Sequence, residues 1–231
     1  MVNKIMIAVK QEGFLKVLKE VIRFRIYLPI RRIYNIALDR YYKIDTEEVA
    51  SLNSLGLPED AGERCEPTPI NEFSVIMGYV NICPNDVFLD IGSGKGRVIL
   101  LAGRYPFKKI IGVDISERLN KIAECNMKTL KQRLVCKDYE FVTSSALDYE
   151  IPPTVTYVYF FNPFPYRVLN KVLVNIGKSI KDNPRKVTLI YYNPKYSFEM
   201  EKDHRFIKIK SLEFSHWSLY KSKCYIYQFA I

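Results

Sequence analysis

A mostly parallel α/β sheet with helices on both faces is what this sequence of 231 residues predicts, and three observations predict it. Short apolar runs alternate with helical patterns between residues 87 and 195, the order that builds successive βαβ units. The run TVTYVYFF is almost continuously apolar and aromatic, as a strand covered on both faces should be. The tail from residue 206, FIKIKSLEFSHWSLYKSKCYIYQFAI, holds two strand patterns with no helix between them, which adds an antiparallel hairpin at one edge and brings the sheet to seven strands.

Residues 1–43 place Phe14, Leu15, Val17, Leu18, Val21 and Ile22 at helical spacing among basic residues. Pro29 interrupts or restarts that helix, and VIRFRIYLPI alternates in part with period two. Residues 44–66 read as an irregular connector with turn residues. In EPTPINEFSVIM, Thr68 is placed to cap a helix that starts at Pro69, where the missing N–H does no harm. Residues 87–91 form a first strand and residues 97–104 a helix stopped by Pro106. KIIGVDI is a second strand, and Ser116 caps a helix that runs to about Leu134. YEFVTSSALDYE contains a third strand, TVTYVYFFNPFP a fourth and KVTLIYYNPK a fifth. YRVLNKVLVNIGKSIK, between the last two, is an amphipathic helix.

Composition narrows the classes. Hydrophobic residues make up 48% and charged residues 26%, the balance of a packed globular chain. No apolar run reaches the length of about 18 residues that a membrane-spanning helix needs. The first apolar stretch, in MVNKIMIAVKQEGF, is too short for a signal peptide. The five cysteines (Cys65, Cys83, Cys125, Cys136 and Cys224) are scattered without a CxxC pair. They read as reduced thiols of a cytoplasmic protein, with no metal site expected. The net charge of +10 is unevenly spread: residues 1–43 hold ten Lys or Arg against three acids, Glu12, Glu20 and Asp39.

The chemistry is signalled by VFLDIGSGKG. Three glycines follow a carboxylate at a strand-to-helix turn, and in such a sheet that turn lies at the carboxyl edge, where ligands bind. Gly92 and Gly94 let the backbone turn sharply and approach a ligand, and Gly96 lets the next helix pack closely. Asp114, at the end of the second strand, is placed to accept two hydrogen bonds from a ribose diol. GSGKGRV lacks the GxxxxGK[ST] phosphate loop, and the third glycine comes one residue too early for a dinucleotide G-x-G-x-x-G. Asp90 would repel a pyrophosphate. It suits a ligand with a cationic amino-acid end instead.

VFLDIGSGKG and IIGVDIS resemble the first and second motifs of class I S-adenosylmethionine (SAM)-dependent methyltransferases. The resemblance covers residues 66–231 and leaves residues 1–65 as a basic, mainly helical extension and connector. It implies a Rossmann-like fold, SAM as cofactor and S-adenosylhomocysteine as product. It also implies that Asp90, Gly92, Ser93 and Gly94 hold the methionine end, Asp114 the ribose, and Ile115 the adenine face. In FVTSSALDY the family's acidic partner of the adenine amine is replaced by Ser145, next to Ala146. EPTP, taken with LDIGSGKGRV, resembles small class I protein-lysine methyltransferases and their bacterial relatives, which adds Glu66 and Thr68 to the cofactor pocket.

The fourth strand ends in Asn162-Pro163-Phe164-Pro165, similar to the (D/N/S)-P-P-aromatic motif of methyltransferases acting on nitrogen. The resemblance makes Asn162, Pro163 and Phe164 the residues at the transferring methyl, with Asn162 also against the cofactor. A nitrogen acceptor, a protein lysine or another amine, is the expectation. A hydroxyl of a small molecule or glycan, for which His216 would serve as base, is the competitor, and a binding module without turnover the third reading. Tyr191, Tyr192 and Asn193 are candidates to border the acceptor. For residues 1–43 a solvated helical cover over the cofactor cleft and a peripheral contact with an anionic membrane surface both stand, with nucleic acid as the other polyanion.

Overall fold

The computed structural model describes residues 13–47, 67–161, 165–216 and 220–229. Seven strands form one sheet: β1 (Val87–Ile91), β2 (Lys109–Asp114), β3 (Tyr139–Thr143), β4 (Val155–Phe161), β5 (Thr188–Tyr192), β6 (Phe206–His216) and β7 (Tyr220–Phe229). Their spatial order is β3-β2-β1-β4-β5-β7-β6. The first five are parallel, and β7 runs antiparallel between β5 and β6. The chain reverses direction across the sheet between β1 and β4, which opens a crevice at their carboxyl ends.

The helices are α1 (Phe14–Ile22), α2 (Leu28–Tyr42), α3 (Ile70–Met77), α4 (Arg97–Ala102), α5 (Glu117–Leu130), α6 (Tyr166–Asp182) and α7 (Ser197–Glu201). Strand alternation decides which face each covers. Val87, Leu89 and Ile91 join Val158, Phe160, Leu189 and Tyr191 against the apolar side of α6. Phe88, Tyr157, Tyr159, Ile190 and Tyr192 face the other way, against Phe73 and Ile76 of α3, Val98 and Ile99 of α4, and Met127 of α5. Every residue of β1 and β5 is buried, the reason these strands read as unbroken apolar runs with one charged exception, Asp90.

The alternating stretch in residues 21–30 is helical: a π-helical turn, Arg23–Tyr27, joins α1 to α2, and Pro29 falls in the first turn of α2. Several expectations are corrected. Thr68 does not cap α3, whose N-cap is Pro69 with no side-chain hydrogen bond; its hydroxyl meets the Tyr159 hydroxyl at 2.8 Å instead. Helix α4 ends at Ala102 and α5 at Leu130, short of Arg104 and Leu134. Helix α7 precedes the hairpin and carries no clear periodic signal. Ser116 does cap α5, accepting from the Leu119 amide. Among the described residues no helix is long and apolar enough to cross a membrane.

The terminal hairpin outreaches the sheet. β5 ends at Tyr192 opposite Cys224, whereas β6 and β7 stay paired to His216 and Tyr220. Four further residues of strand lift the hairpin about 13 Å above the other strand ends, on the side where the fourth and fifth strands finish.

Candidate active site

The cavity at the switch point is built from the end of β1 upward. Asp90 is buried, at 3% exposure, and pairs in register with Tyr159 of β4. Both lie on the face covered by α3 and α4. Gly92 follows at φ 84°, Gly94 at 53° and Gly96 at 78°, a left-handed region that glycine enters without strain. The amides of Gly92 and Ser93 both donate to the Val113 carbonyl, at 2.8 and 3.0 Å, which pins the loop to the end of β2. Gly96 holds helix to helix: a Cβ there would lie 2.8 Å from the Ala123 Cβ of α5 and 3.3 Å from Phe141.

Asp114 closes the far side of the loop. Its Oδ2 accepts from the Gly94 amide at 2.9 Å and its Oδ1 from the Ser116 amide at 2.8 Å. Burial raises its pKa, with these two bonds opposing. Each oxygen keeps lone-pair capacity for a ligand hydroxyl. Ile115, the next residue, is 41% exposed and offers a flat apolar contact.

Asp90 has no hydrogen-bond donor among the described residues. Burial pushes its pKa well up, and the Asp114 charge adds to the rise. Ser93 Oγ is likewise buried without a partner. Thr68, Asp90, Ser93 and Tyr159 line a cavity of about 40 Å³, with Phe161 at its edge. That space would admit a small charged head group, and the rest of a larger ligand would lie along the open surface over Asp114 and Ile115.

The N-terminal extension supplies another wall. Thr46 lines the cavity; its hydroxyl accepts from Arg97 Nε at 2.8 Å and bonds Asp39 Oδ1 at 2.9 Å. Asp39 also accepts the amides of Thr46 and Glu47. Arg97 Nη1 lies 2.9 Å from Glu47 Oε2, and Lys95 Nζ lies 2.7 Å from Asp45 Oδ1. Asn126 of α5 ties the two segments together by donating to the carbonyls of Asp45 and Lys95. The cations that follow the glycines are therefore paired with residues 39–47.

The sequence-derived candidates thus meet in part. Thr68, Asp90, Gly92 and Ser93 converge on the cavity. Gly94 lies beside it, its amide donating to Asp114, while the amides of Gly92 and Ser93 donate to the Val113 carbonyl. Ser145 and Ala146 follow β3 beside Asp114, whose carbonyl accepts from Ser144. Ser145 Oγ accepts from Leu147 at 3.2 Å and so closes a local turn. Tyr192 donates to Glu72 Oε2 at 2.7 Å, Tyr191 packs on Phe160 on the other face, and Asn193 takes a left-handed turn at φ 49°. Glu66 and the segment Asn162, Pro163, Phe164 lie outside the described residues, as does the side chain of His216. Sequence reasoning missed Thr46, Arg97, Tyr159 and Phe161. Only the hydroxyl and acids of IDTEE, next to a helix end, hinted at the first.

The residues present fit SAM. A buried carboxylate without a partner among the described residues matches its ammonium group, a second carboxylate with open lone pairs matches the ribose hydroxyls, and an exposed isoleucine matches the adenine. Fold and site together define a class I SAM-dependent methyltransferase. The sheet is shared with the Salinibacter ruber RNA methyltransferase bound to S-adenosylhomocysteine (18% identity over 71% of this chain and 93% of that one, TM-score 0.51) and with a Methanosarcina mazei SAM-dependent methyltransferase (13% identity, 68% and 97%, TM-score 0.52). Residues 67–218 match the family model of DOT1, the histone methylation protein, and the chain belongs to that family. A similar curated protein is the Drosophila melanogaster histone-lysine N-methyltransferase specific for H3 lysine 79, 28% identical over 149 residues. The match spans 54% of this chain and 8% of that much longer relative.

Proposed function

We propose that this chain transfers a methyl group from SAM to nitrogen, the ε-amine of a lysine in a protein. The observation that carries the reading is the family match across residues 67–218, which include both the glycine loop and the acceptor side of the sheet. The relative's activity on a histone lysine supports the same acceptor chemistry.

The cofactor, when bound, supplies a methyl group already made electrophilic by a sulfonium, so the protein's work is alignment and exclusion of water. Asp90 would hold the ammonium, Asp114 the ribose, and Thr68 and Ser93 the neighbouring polar atoms. Phe161 and Tyr192 stand edge to face, 4.6 Å between ring centres, at the ends of the two strands beyond the cavity. Such apolar walls suit the aliphatic stem of a lysine. They also favour the neutral amine, the form that can attack, because burial disfavours an ammonium. Residues 66–231 form the catalytic unit in this reading, and residues 39–47 complete its cofactor wall. The four described cysteines are free thiols, which supports a reducing, cytoplasmic setting.

Incubation of the full chain with methyl-labelled SAM and a cell lysate tests this. The expected result is label in protein bands, recovered as methyl-lysine after hydrolysis. Label confined to small solutes, or methyl esters and ethers in place of methyl-lysine, would replace the reading with an oxygen acceptor. SAM binding without any transfer would reduce the chain to a binding module.

A further inference from the structure

We propose that α1 and α2 form a docking face for an anionic lipid surface. This rests on a part of the molecule outside the cofactor cavity and holds whatever the acceptor is.

Half of the large apolar or aromatic side chains exposed among the described residues, nine of eighteen, stand on α1, the π-helical turn and α2, where water gains nothing from them. Leu15, Leu18, Ile26, Ile30, Ile33 and Tyr41 recur at spacings that keep them on one side of the helical path. Leu15 is 71%, Ile33 67% and Tyr41 75% exposed. From Leu15 to Tyr41 the stripe is about 40 Å long. A contiguous exposed apolar stripe of this kind marks an interaction surface.

The other side of α2 is held inward, so the apolar stripe cannot turn in. Asn35 and Asp39 are buried there, and Asn35 donates to Glu47 Oε2 at 2.8 Å while Asp39 is bonded to Thr46 and Glu47. This anchorage to Arg97 of α4 fixes which side of α2 faces out.

Charge selects the occupant. Ten Lys or Arg and three acids lie in residues 1–43, and one of those acids, Asp39, is buried in the anchor. Lys19, Arg32 and Arg40 are exposed along the stripe and its flanks. A helix with interleaved apolar and cationic side chains lies in the headgroup region, its apolar side chains in the acyl boundary and its cations on anionic headgroups. Nucleic acid would use the cations and leave the apolar stripe in water. A second copy of the chain would cover the stripe and bring two strongly basic faces together.

Flotation of the full chain with vesicles tests the proposal. With phosphatidylglycerol mixed into phosphatidylcholine the chain should co-float, and with phosphatidylcholine alone binding should fall by about tenfold or more, as should binding at high salt. Ile30→Asp combined with Ile33→Asp should abolish flotation, and Lys19→Glu with Arg32→Glu should do the same, both with SAM binding unchanged. No flotation on anionic vesicles, equal flotation on neutral ones, or flotation indifferent to the isoleucine changes would overturn it. So would light scattering that shows a dimer dispersed by Ile30→Asp with Ile33→Asp, or tight nucleic-acid binding that survives those changes while vesicle binding is absent.

Discussion

Arg97 of the helix behind the glycine loop lies 2.9 Å from Glu47 of the N-terminal extension, and the two side chains are only 7% and 5% exposed. Burial lowers the pKa of the guanidinium and raises that of the carboxyl, each against the pull of its partner. The pair is therefore held together by geometry at a desolvation cost, and both Asp39 and Thr46 complete it. Its position ties the extension to the helix that leaves the cofactor loop.

Breaking that pair on one side should hurt more than replacing it. Arg97→Met leaves Glu47 and Asp39 buried without their cation and should cost about 3–5 kcal/mol of stability. Adding Glu47→Gln should restore part of the loss. Urea unfolding of the two variants checks this. Equal stability of Arg97→Met and the unmodified chain would show that the extension does not dock as described.

Asp90 should behave in opposite ways in stability and in binding. Its folded pKa is raised, so the folded chain holds the proton longer than the unfolded one. Stability therefore falls as pH rises from the ordinary aspartate range through the raised folded pKa. Asp90→Asn should remove that slope and raise the melting temperature of the ligand-free protein at neutral pH. The same change should weaken SAM by about 10- to 100-fold, the worth of a charge-assisted contact. Differential scanning fluorimetry and calorimetry provide the two readings; unchanged SAM affinity would place the ligand elsewhere.

The same carboxyl makes cofactor binding pH-dependent. The ammonium of SAM favours ionised Asp90, so affinity should tighten as pH rises through the raised pKa and binding should release protons below it. Calorimetry in two buffers of unlike ionisation enthalpy measures that release. Proton uptake, or none at any pH below neutral, would contradict the assignment.

Gly96→Ala should destabilise through two separable effects, the left-handed backbone and the 2.8 Å approach to Ala123. A loss of about 1–3 kcal/mol is expected from the crowding, with backbone strain added. Ala123→Gly in the same chain should relieve the crowding and leave the strain, a partial rescue visible in thermal melts.

Tyr159→Phe tests the polar lining. It leaves the Thr68 hydroxyl, 2% exposed, without its 2.8 Å partner, and should cost about 1–3 kcal/mol. Thr68→Val combined with it should recover stability. SAM affinity read alongside shows whether Thr68 also holds the cofactor.

Much of this was legible in one dimension because it is local. A glycine run after an acidic strand end needs only its neighbours to define a turn, and period-two and period-3.6 patterns declared the strands and helices that surround it. The acidic end of β2, Asp114, could be matched to the loop because it ends the next strand. Tertiary structure alone decided what lies far apart in sequence: that Thr46 and Glu47 meet Arg97, that Thr68 meets Tyr159 instead of capping a helix, and that the loop amides are already taken by Val113 and Asp114. Buried polar groups must find partners wherever the fold brings them, and no periodicity in the chain records which partner a buried hydroxyl or guanidinium will meet.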